Sequence, residues 1–177
     1  MDKVKKMVLM ALLISQALVL HYIEGLFPVL LPGVKLGLAN IITLVTIVLF
    51  GIKEAIAVVV IRSVLGPILG GSPASILYSL AGGILSTLVM AILYTKYRKY
   101  FSLIGISTAG AVFHNIGQLL VASWIFGTIS ILYTYLPVLM IAAAVAGYFI
   151  GLVSHYILNF LRIHILKPKR KNKAKKG

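Results

Sequence analysis

Residues 101–161 read FSLIGISTAGAVFHNIGQLLVASWIFGTISILYTYLPVLMIAAAVAGYFIGLVSHYILNFL and contain no Asp, Glu, Lys or Arg. These 61 residues, at about 1.5 Å per helical residue, are roughly three bilayer cores long. The stretch accommodates two membrane helices joined by a loop or, less easily, three helices. It therefore predicts an all-α integral membrane protein, and the charges on either side of it decide the number of helices.

The overall composition indicates the same class of protein. Of 177 residues, 60% are hydrophobic and only 11% are charged, and the mean hydropathy is +1.06. About 25% of the residues of a soluble domain are charged, so a water-soluble globule is excluded. The chain has no cysteine, which excludes disulfides, thiolate metal sites and a cysteine nucleophile.

Runs without charges predict where the other helices lie, because a span needs about 20 mostly apolar residues. Prolines 28 and 32 follow the first run, the pair Lys53 and Glu54 forms a charged turn after the second, and the GGSP turn at 70–73 divides the next apolar stretch. The predicted helices cover residues 7–23, residues 36–52, two segments within 55–91, residues 102–126 and residues 137–161. An outer loop through Gly127, Thr128 and residues 133–135 precedes the last helix.

The distribution of basic residues selects six helices over seven. The chain carries 17 Lys and Arg against 3 acidic residues, a net charge of +14, and basic residues in short loops accumulate on the cytoplasmic side. Six helices place 15 of the 17 on that side, whereas seven would place the basic tail outside. We therefore expect a cytoplasmic N-terminus at 1–6, a six-helix transmembrane domain at 7–161 and a basic cytoplasmic tail at 162–177, which either anchors the topology or attracts anionic lipid headgroups. Because the charges flank apolar runs, nucleic acid is not the expected partner.

Arg62 is the clearest candidate for a functional residue, since it lies well inside the third predicted helix. An ionisable side chain in the membrane is costly and marks a functional site by default. The guanidinium group offers five donors in a fork that suits phosphate or carboxylate. The alternative is a structural clamp, in which backbone carbonyls and neighbouring polar groups satisfy the arginine.

Other polar residues are predicted to lie in the outer half of the bundle with Arg62, where the first, second, third and fifth helices enclose a cavity. His114 and Gln118 are four residues apart and share a helix face, as do His21 and Glu24, which are three apart. Convergent polar groups in an apolar pocket are the usual form of a small-molecule site. The candidate substrate-binding residues are Arg62, His114, Asn115, Gln118, Asn40, Lys35, Glu24 and His21. Individual hydrogen bonding at helix interfaces is the alternative. His21 and Glu24 with another histidine could bind a metal ion, but no two histidines have ligand spacing, so no metal is expected. No cofactor is expected either.

Small residues at four-residue spacing predict where helices pack closely. One row on the fourth helix consists of Ser75, Ser79, Gly83 and Thr87, and one on the last helix consists of Ala143, Gly147 and Gly151, continued by His155 and Asn159. Both rows are expected to pack within the monomer. A shorter pair, Ala11 and Ser15, lies in the cytoplasmic half of the first helix.

Three motifs, LPGVKLGLAN at 31–40, YSLAGG at 78–83 and GAVFHNIGQ at 110–118, resemble the Gx transporter family. That family is often labelled heptaprenyl diphosphate synthase component I and is similar to the S components of energy-coupling factor transporters. The resemblance covers about residues 7–161. It implies a six-helix bundle that captures a substrate from outside, works with a coupling membrane subunit and two ATPases, and has an association with flavin trafficking. S components commonly meet the coupling subunit through an AxxxA-like motif, of which Ala11 to Ser15 is a degenerate version.

The residues do not suit catalysis by this chain alone. Prenyl diphosphate synthesis needs clustered carboxylates to hold magnesium, and the three acids, Asp2, Glu24 and Glu54, are scattered. A phosphate-binding loop of the form G-x-x-x-x-G-K-[ST] is also absent from the sequence, so ATP-driven transport would need a separate ATPase.

Two functions stay open. The first is a substrate-binding subunit of an energy-coupling factor transporter in a prokaryotic cytoplasmic membrane, which binds a small anionic vitamin- or cofactor-like molecule such as a flavin or an isoprenoid. The second is a non-catalytic membrane accessory subunit in prenyl diphosphate or quinone metabolism, in which the polar groups are structural.

Overall fold

The computed structural model describes residues 2–26, 37–70 and 72–163. In these ranges the protein is built from α-helices joined by short connections. The helices are α1 (Lys3–Glu24), α2 (Asn40–Phe50), α3 (Ile52–Leu69), α4 (Ile76–Lys96), α5 (Leu103–Ile125) and α6 (Ser130–Leu161), and a 3-10 turn, Pro73–Ser75, precedes α4. No strand occurs in these ranges. The all-α prediction is confirmed.

Four helices are long and apolar enough to cross a membrane: α1, α4 with its preceding turn, α5 and α6. This set of helices identifies a multi-pass membrane protein. The α3 helix has 18 residues but carries Lys53, Glu54 and Arg62, and α2 has only 11 residues. The count of six spans stays a prediction.

The α2 helix lies in the centre of the bundle. Its residues 40–47 are all buried, so every side of this part of the helix is covered. Its predicted start at residue 36 is wrong, because Gly37 has a φ of 86°, which is not helical, and α2 begins at Asn40.

The junction between α2 and α3 also differs from the prediction. Gly51, with a φ of 100°, separates the two helices, whereas Lys53 and Glu54 belong to the first turn of α3. Glycine adopts this conformation without the steric cost that a side chain imposes. Glu54 pairs with the Lys6 ammonium at 2.5 Å, so the start of α3 lies beside the start of α1.

The predicted outer loop is too long. The α6 helix begins at Ser130 and includes Tyr133 and Tyr135, so only residues 126–129 connect α5 to α6. Pro137 lies inside α6 rather than at its start. A proline removes one backbone donor, and membrane helices tolerate this loss.

Small residues join the helices as expected, with one exception. The α6 row packs on α5, where Ser107 donates to the Gly147 carbonyl at 2.6 Å. The α4 row faces α3, where Ser63 donates to the Ser79 carbonyl at 3.1 Å. His155 and Asn159, however, are exposed and contact each other at 3.0 Å, so they do not continue the buried row.

Candidate functional site

Five polar side chains from four helices form a buried cluster, which we call the polar cluster. Its members are Glu24 on α1, Asn40 on α2, Arg62 on α3, and His114 and Gln118 on α5. None of these residues is more than 3% exposed. Buried polar groups cost free energy unless they are hydrogen-bonded, and a buried charge costs more. The partners of each group therefore decide what the cluster can do.

Arg62 is held between α2 and α4. Its Nη2 atom donates to the Asn40 Oδ1 atom over 3.5 Å, a long contact with a neutral amide. On the other side Gly83 brings the α4 backbone close, since a Cβ there would lie 3.0 Å from Nη2. Arg62 is only 1% exposed, and its Nε atom has no hydrogen-bond partner among the residues that the structure describes. The hydrogen-bond acceptor of Arg62 is therefore a neutral amide, and the charge that favours its guanidinium group is that of Glu24.

Glu24 fixes the backbone at the start of α2. Its Oε1 atom accepts hydrogen bonds from the N–H groups of Gly37 and Leu38, the latter at 3.1 Å. A Cβ on Gly37 would lie 2.9 Å from the Asn40 Nδ2 atom and 3.1 Å from the His114 Cδ2 atom. Glu24 therefore holds the Gly37 turn against two other members of the cluster.

His114 and Gln118 form a pair on one face of α5. The Gln118 Nε2 atom lies 3.0 Å from the His114 Nε2 atom, which confirms that the two residues share a face. An amide NH₂ group can only donate, so the imidazole accepts at Nε2. Glycine 82 of α4 lies against this pair, because a Cβ there would lie 3.1 Å from the His114 Cε1 atom.

The remaining predicted site residues lie elsewhere. Asn115 is turned towards α6, where it donates to the Leu139 carbonyl at 2.9 Å. His21 is buried beside α3, with its ring against Gly66. Lys35 lies outside the described residues. Within the described ranges, no three His, Asp or Glu side chains are placed to hold a metal ion.

Three glycines shape the cluster, of which the sequence predicted only Gly83, as a residue of close helix packing and not as a neighbour of Arg62. Gly37, Gly82 and Gly83 each allow a backbone to approach a cluster side chain, and all three fall within the quoted motifs. A glycine in the same motif as a candidate polar residue can indicate that the backbone comes close to a polar side chain.

The model of one protein family matches residues 13–157, and its description is heptaprenyl diphosphate synthase component I. The chain belongs to this family. The match covers more than half of the sequence and includes every member of the polar cluster, and it confirms the resemblance that the motifs indicated. Neither the curated proteins nor the solved structures gave a match to this chain.

The description "component I" implies that a member of this family acts with other subunits, and two surfaces of the chain could serve such contacts. Ala11 and Ser15 are exposed on α1, away from the buried stripe of that helix, and the Ser15 hydroxyl donates to the Ala11 carbonyl at 2.9 Å. An apolar groove of about 510 Å³ lies between α1, the end of α2 and the end of α6. Leu9, Leu12, Phe50, Tyr156 and Phe160 are among the residues that line this groove.

Proposed function

We propose that this member of the heptaprenyl diphosphate synthase component I family is the substrate-binding subunit of an energy-coupling factor transporter. It crosses a prokaryotic cytoplasmic membrane six times, with both termini in the cytoplasm. The polar cluster binds a small anionic vitamin- or cofactor-like substrate, such as a flavin or an isoprenoid, from the outer side. The main supporting observation is Arg62, a full charge that is 1% exposed and that donates a long hydrogen bond of 3.5 Å to the neutral amide of Asn40.

Six spans are supported by where the ends of α2 and α3 lie. The Gly37 turn, just before α2, is bonded to Glu24 at the end of α1, whereas the start of α3 is bonded to Lys6 near the beginning of α1. The α2 helix therefore runs antiparallel to α1 through the same layer, and α3 returns across it. This arrangement supports the proposal that α2 and α3 cross the membrane together with α1.

Transport would require further subunits. The sequence lacks a phosphate-binding loop, so two ATPases and a coupling membrane subunit would supply the energy. The family description implies partner subunits. The exposed Ala11 and Ser15 offer small side chains at four-residue spacing, which permits close contact with a helix of the coupling subunit.

The proposal is tested by purifying the chain in a mild detergent and identifying retained small molecules and co-purified proteins by mass spectrometry. Arg62→Lys keeps the charge but loses the fork geometry, and we expect it to weaken binding of the retained molecule by about 5- to 150-fold, which corresponds to roughly 1–3 kcal/mol. The matched control is Arg98→Lys, because Arg98 is exposed and donates to the Phe101 carbonyl. Unchanged affinity in Arg62→Lys would contradict the anion site.

The second candidate function is the accessory subunit in prenyl diphosphate or quinone metabolism. It is favoured by the family description and by the apolar groove, which suits a hydrocarbon chain. Purification separates the two functions, because an accessory subunit should co-purify with a synthase and a transporter subunit with ATPases.

A further inference from the structure

Three polar atoms at the centre of the polar cluster have no hydrogen-bond partner in the described part of the chain: Arg62 Nε, Asn40 Nδ2 and His114 Nδ1. The three side chains are 1%, 1% and 2% exposed. The side chains are neighbours. Asn40 contacts Arg62 through its Oδ1 atom, and Asn40 and His114 both lie against Gly37. Buried polar atoms are normally hydrogen-bonded, so three unpaired ones side by side indicate a missing ligand.

All three atoms are donors. Arg Nε and Asn Nδ2 carry hydrogens and have no acceptor role. The His114 Nε2 atom accepts from Gln118, so a neutral ring carries its hydrogen on Nδ1. The backbone of Gly82 borders the ring, yet Nδ1 makes no hydrogen bond of suitable geometry in the described residues. Gln118 is therefore a positioning residue that sets His114 as a donor.

A ligand for this site must accept hydrogen bonds from three donors and compensate the charge of Arg62. A single water molecule has two lone pairs and no charge, so it meets neither requirement. The charge of Glu24 acts favourably on that of Arg62, but its Oε1 atom accepts from the Gly37 and Leu38 N–H groups, and none of the three unpaired donors bonds to it. An oxyanion would supply acceptors for these donors and further negative charge beside Arg62.

We infer that Arg62, Asn40 and His114, positioned by Gln118, form a receptor for the phosphate group of a ligand, an inference that rests on the proposed binding role of the polar cluster. The three donors lie on three different helices, α2, α3 and α5. The acceptor sites of a carboxylate lie in one plane, whereas the three terminal oxygens of a phosphate point in three directions, which suits donors that come from three helices. Arginine is also the residue type best suited to phosphate.

The test measures the thermal unfolding of the full chain in maltoside micelles with inorganic phosphate or, at equal ionic strength, with acetate. A ligand that binds only the folded state raises the unfolding temperature by mass action, and we expect a rise of about 3 °C with phosphate at several times its Kd and none with acetate. Phosphatidylglycerol added to separate micelles distinguishes a lipid headgroup from a soluble phosphate, since both contain the group that the receptor recognises.

The decisive variant is Asn40→Asp, which has the same shape but replaces the Nδ2 donor by a carboxylate oxygen beside Arg62. We expect it to unfold at or above the wild-type temperature without phosphate, because Arg62 gains a counter-charge, and to lose the response to phosphate and to lipid. The matched control, Asn159→Asp, introduces the same change at an exposed position on α6 and should keep the response. Gln118→Met, which cannot donate to His114, should reduce the response even if Asn40→Asp does not fold.

Three results would overturn the inference: a wild-type chain that responds to neither phosphate source, an equal response to acetate, or a response that survives in both Asn40→Asp and Gln118→Met. A retained small molecule in a chain without a phosphate response would leave the proposed function standing and remove the phosphate receptor. A phosphate response in a chain that co-purifies with a synthase and no ATPase would leave the phosphate receptor standing and contradict the proposed transport function.

Discussion

At the scale of single residues, Gly37 connects three members of the polar cluster. Its N–H group donates to Glu24, and its Cα faces Asn40 and His114. Because its φ is 86°, a side chain at this position would be strained even without neighbours. The cluster geometry thus depends on a residue that has no side chain of its own.

We expect Gly37→Ala to lower the unfolding temperature by several degrees, because it adds collisions with Asn40 and His114 to the backbone strain. Overpacking typically costs about 1–3 kcal/mol. The matched control is Gly127→Ala, where φ is 65° but a Cβ would meet nothing within 4 Å. The control measures backbone strain alone. An equal loss of stability in the two variants would therefore show that the contacts with Asn40 and His114 do not contribute to the destabilisation.

Part of the candidate site was predictable from residue type and spacing. Arg62 could be identified because a charge within an apolar run is costly, and His114 and Gln118 because residues four apart share a face. Asn115 was grouped with them by adjacency, yet neighbouring residues on a helix point about 100° apart, and Asn115 faces α6 instead. The role of Glu24 as an acceptor for two backbone N–H groups depends on the turn before α2, which helix periodicity does not describe.

At the scale of the elements, α1 is only partly covered by the rest of the bundle. It buries Leu13, Ala17, His21 and Glu24, while Ala11 and Ser15 face outward. In a bilayer an apolar face gains nothing from association by itself, so close contact requires small side chains. This outward face of α1 is therefore where a helix of a partner subunit would fit.

Ala11→Trp and Ser15→Trp should each reduce co-purification of the coupling subunit, because the bulky ring prevents close approach of a second helix. The affinity for the substrate should not change, since Ala11 lies roughly 15 Å along the helix from His21. Val145→Trp, at an exposed position on α6, controls for the addition of a ring to the membrane surface. If the coupling subunit co-purifies equally with all three variants, α1 is not the docking helix.

The ends of the elements were the least predictable part of the fold. Charge-free runs located each helix, but α2 has only 11 residues because glycines with positive φ, Gly37 and Gly51, lie on either side of it, and hydropathy does not predict such backbone turns. In α6, Pro137 and the tyrosines suggested a loop, whereas the helix continues through them from Ser130. Rows of small residues predicted the contacts of α4 and α6 correctly up to Gly151, beyond which His155 and Asn159 are exposed.

At the scale of the whole molecule, the open question is whether α2 and α3 cross the membrane with the four longer helices. In a six-span arrangement, the junction between α2 and α3 lies on the cytoplasmic side with Lys3, Lys5 and Lys6, in agreement with the positive-inside rule. In a four-span arrangement, α2 and α3 would enter from the outside and return there, and Lys53 would lie far from the N-terminus. The ion pair between Lys6 and Glu54 favours six spans.

Single cysteines decide between these arrangements, and the absence of native cysteine makes each label specific. In intact cells an impermeant thiol reagent should modify Ser72→Cys and Thr128→Cys, which replace exposed residues in the outer connections. It should leave Lys53→Cys and Lys99→Cys unmodified until the membrane is permeabilised, after which all four should react. Labelling of Lys53→Cys from outside while Lys99→Cys stays protected would support four spans, because the α2–α3 junction would then be accessible from the same side as Ser72. Protection of Lys53→Cys until permeabilisation would instead place Glu54, Lys6 and the N-terminus together in the cytoplasm, as the ion pair requires.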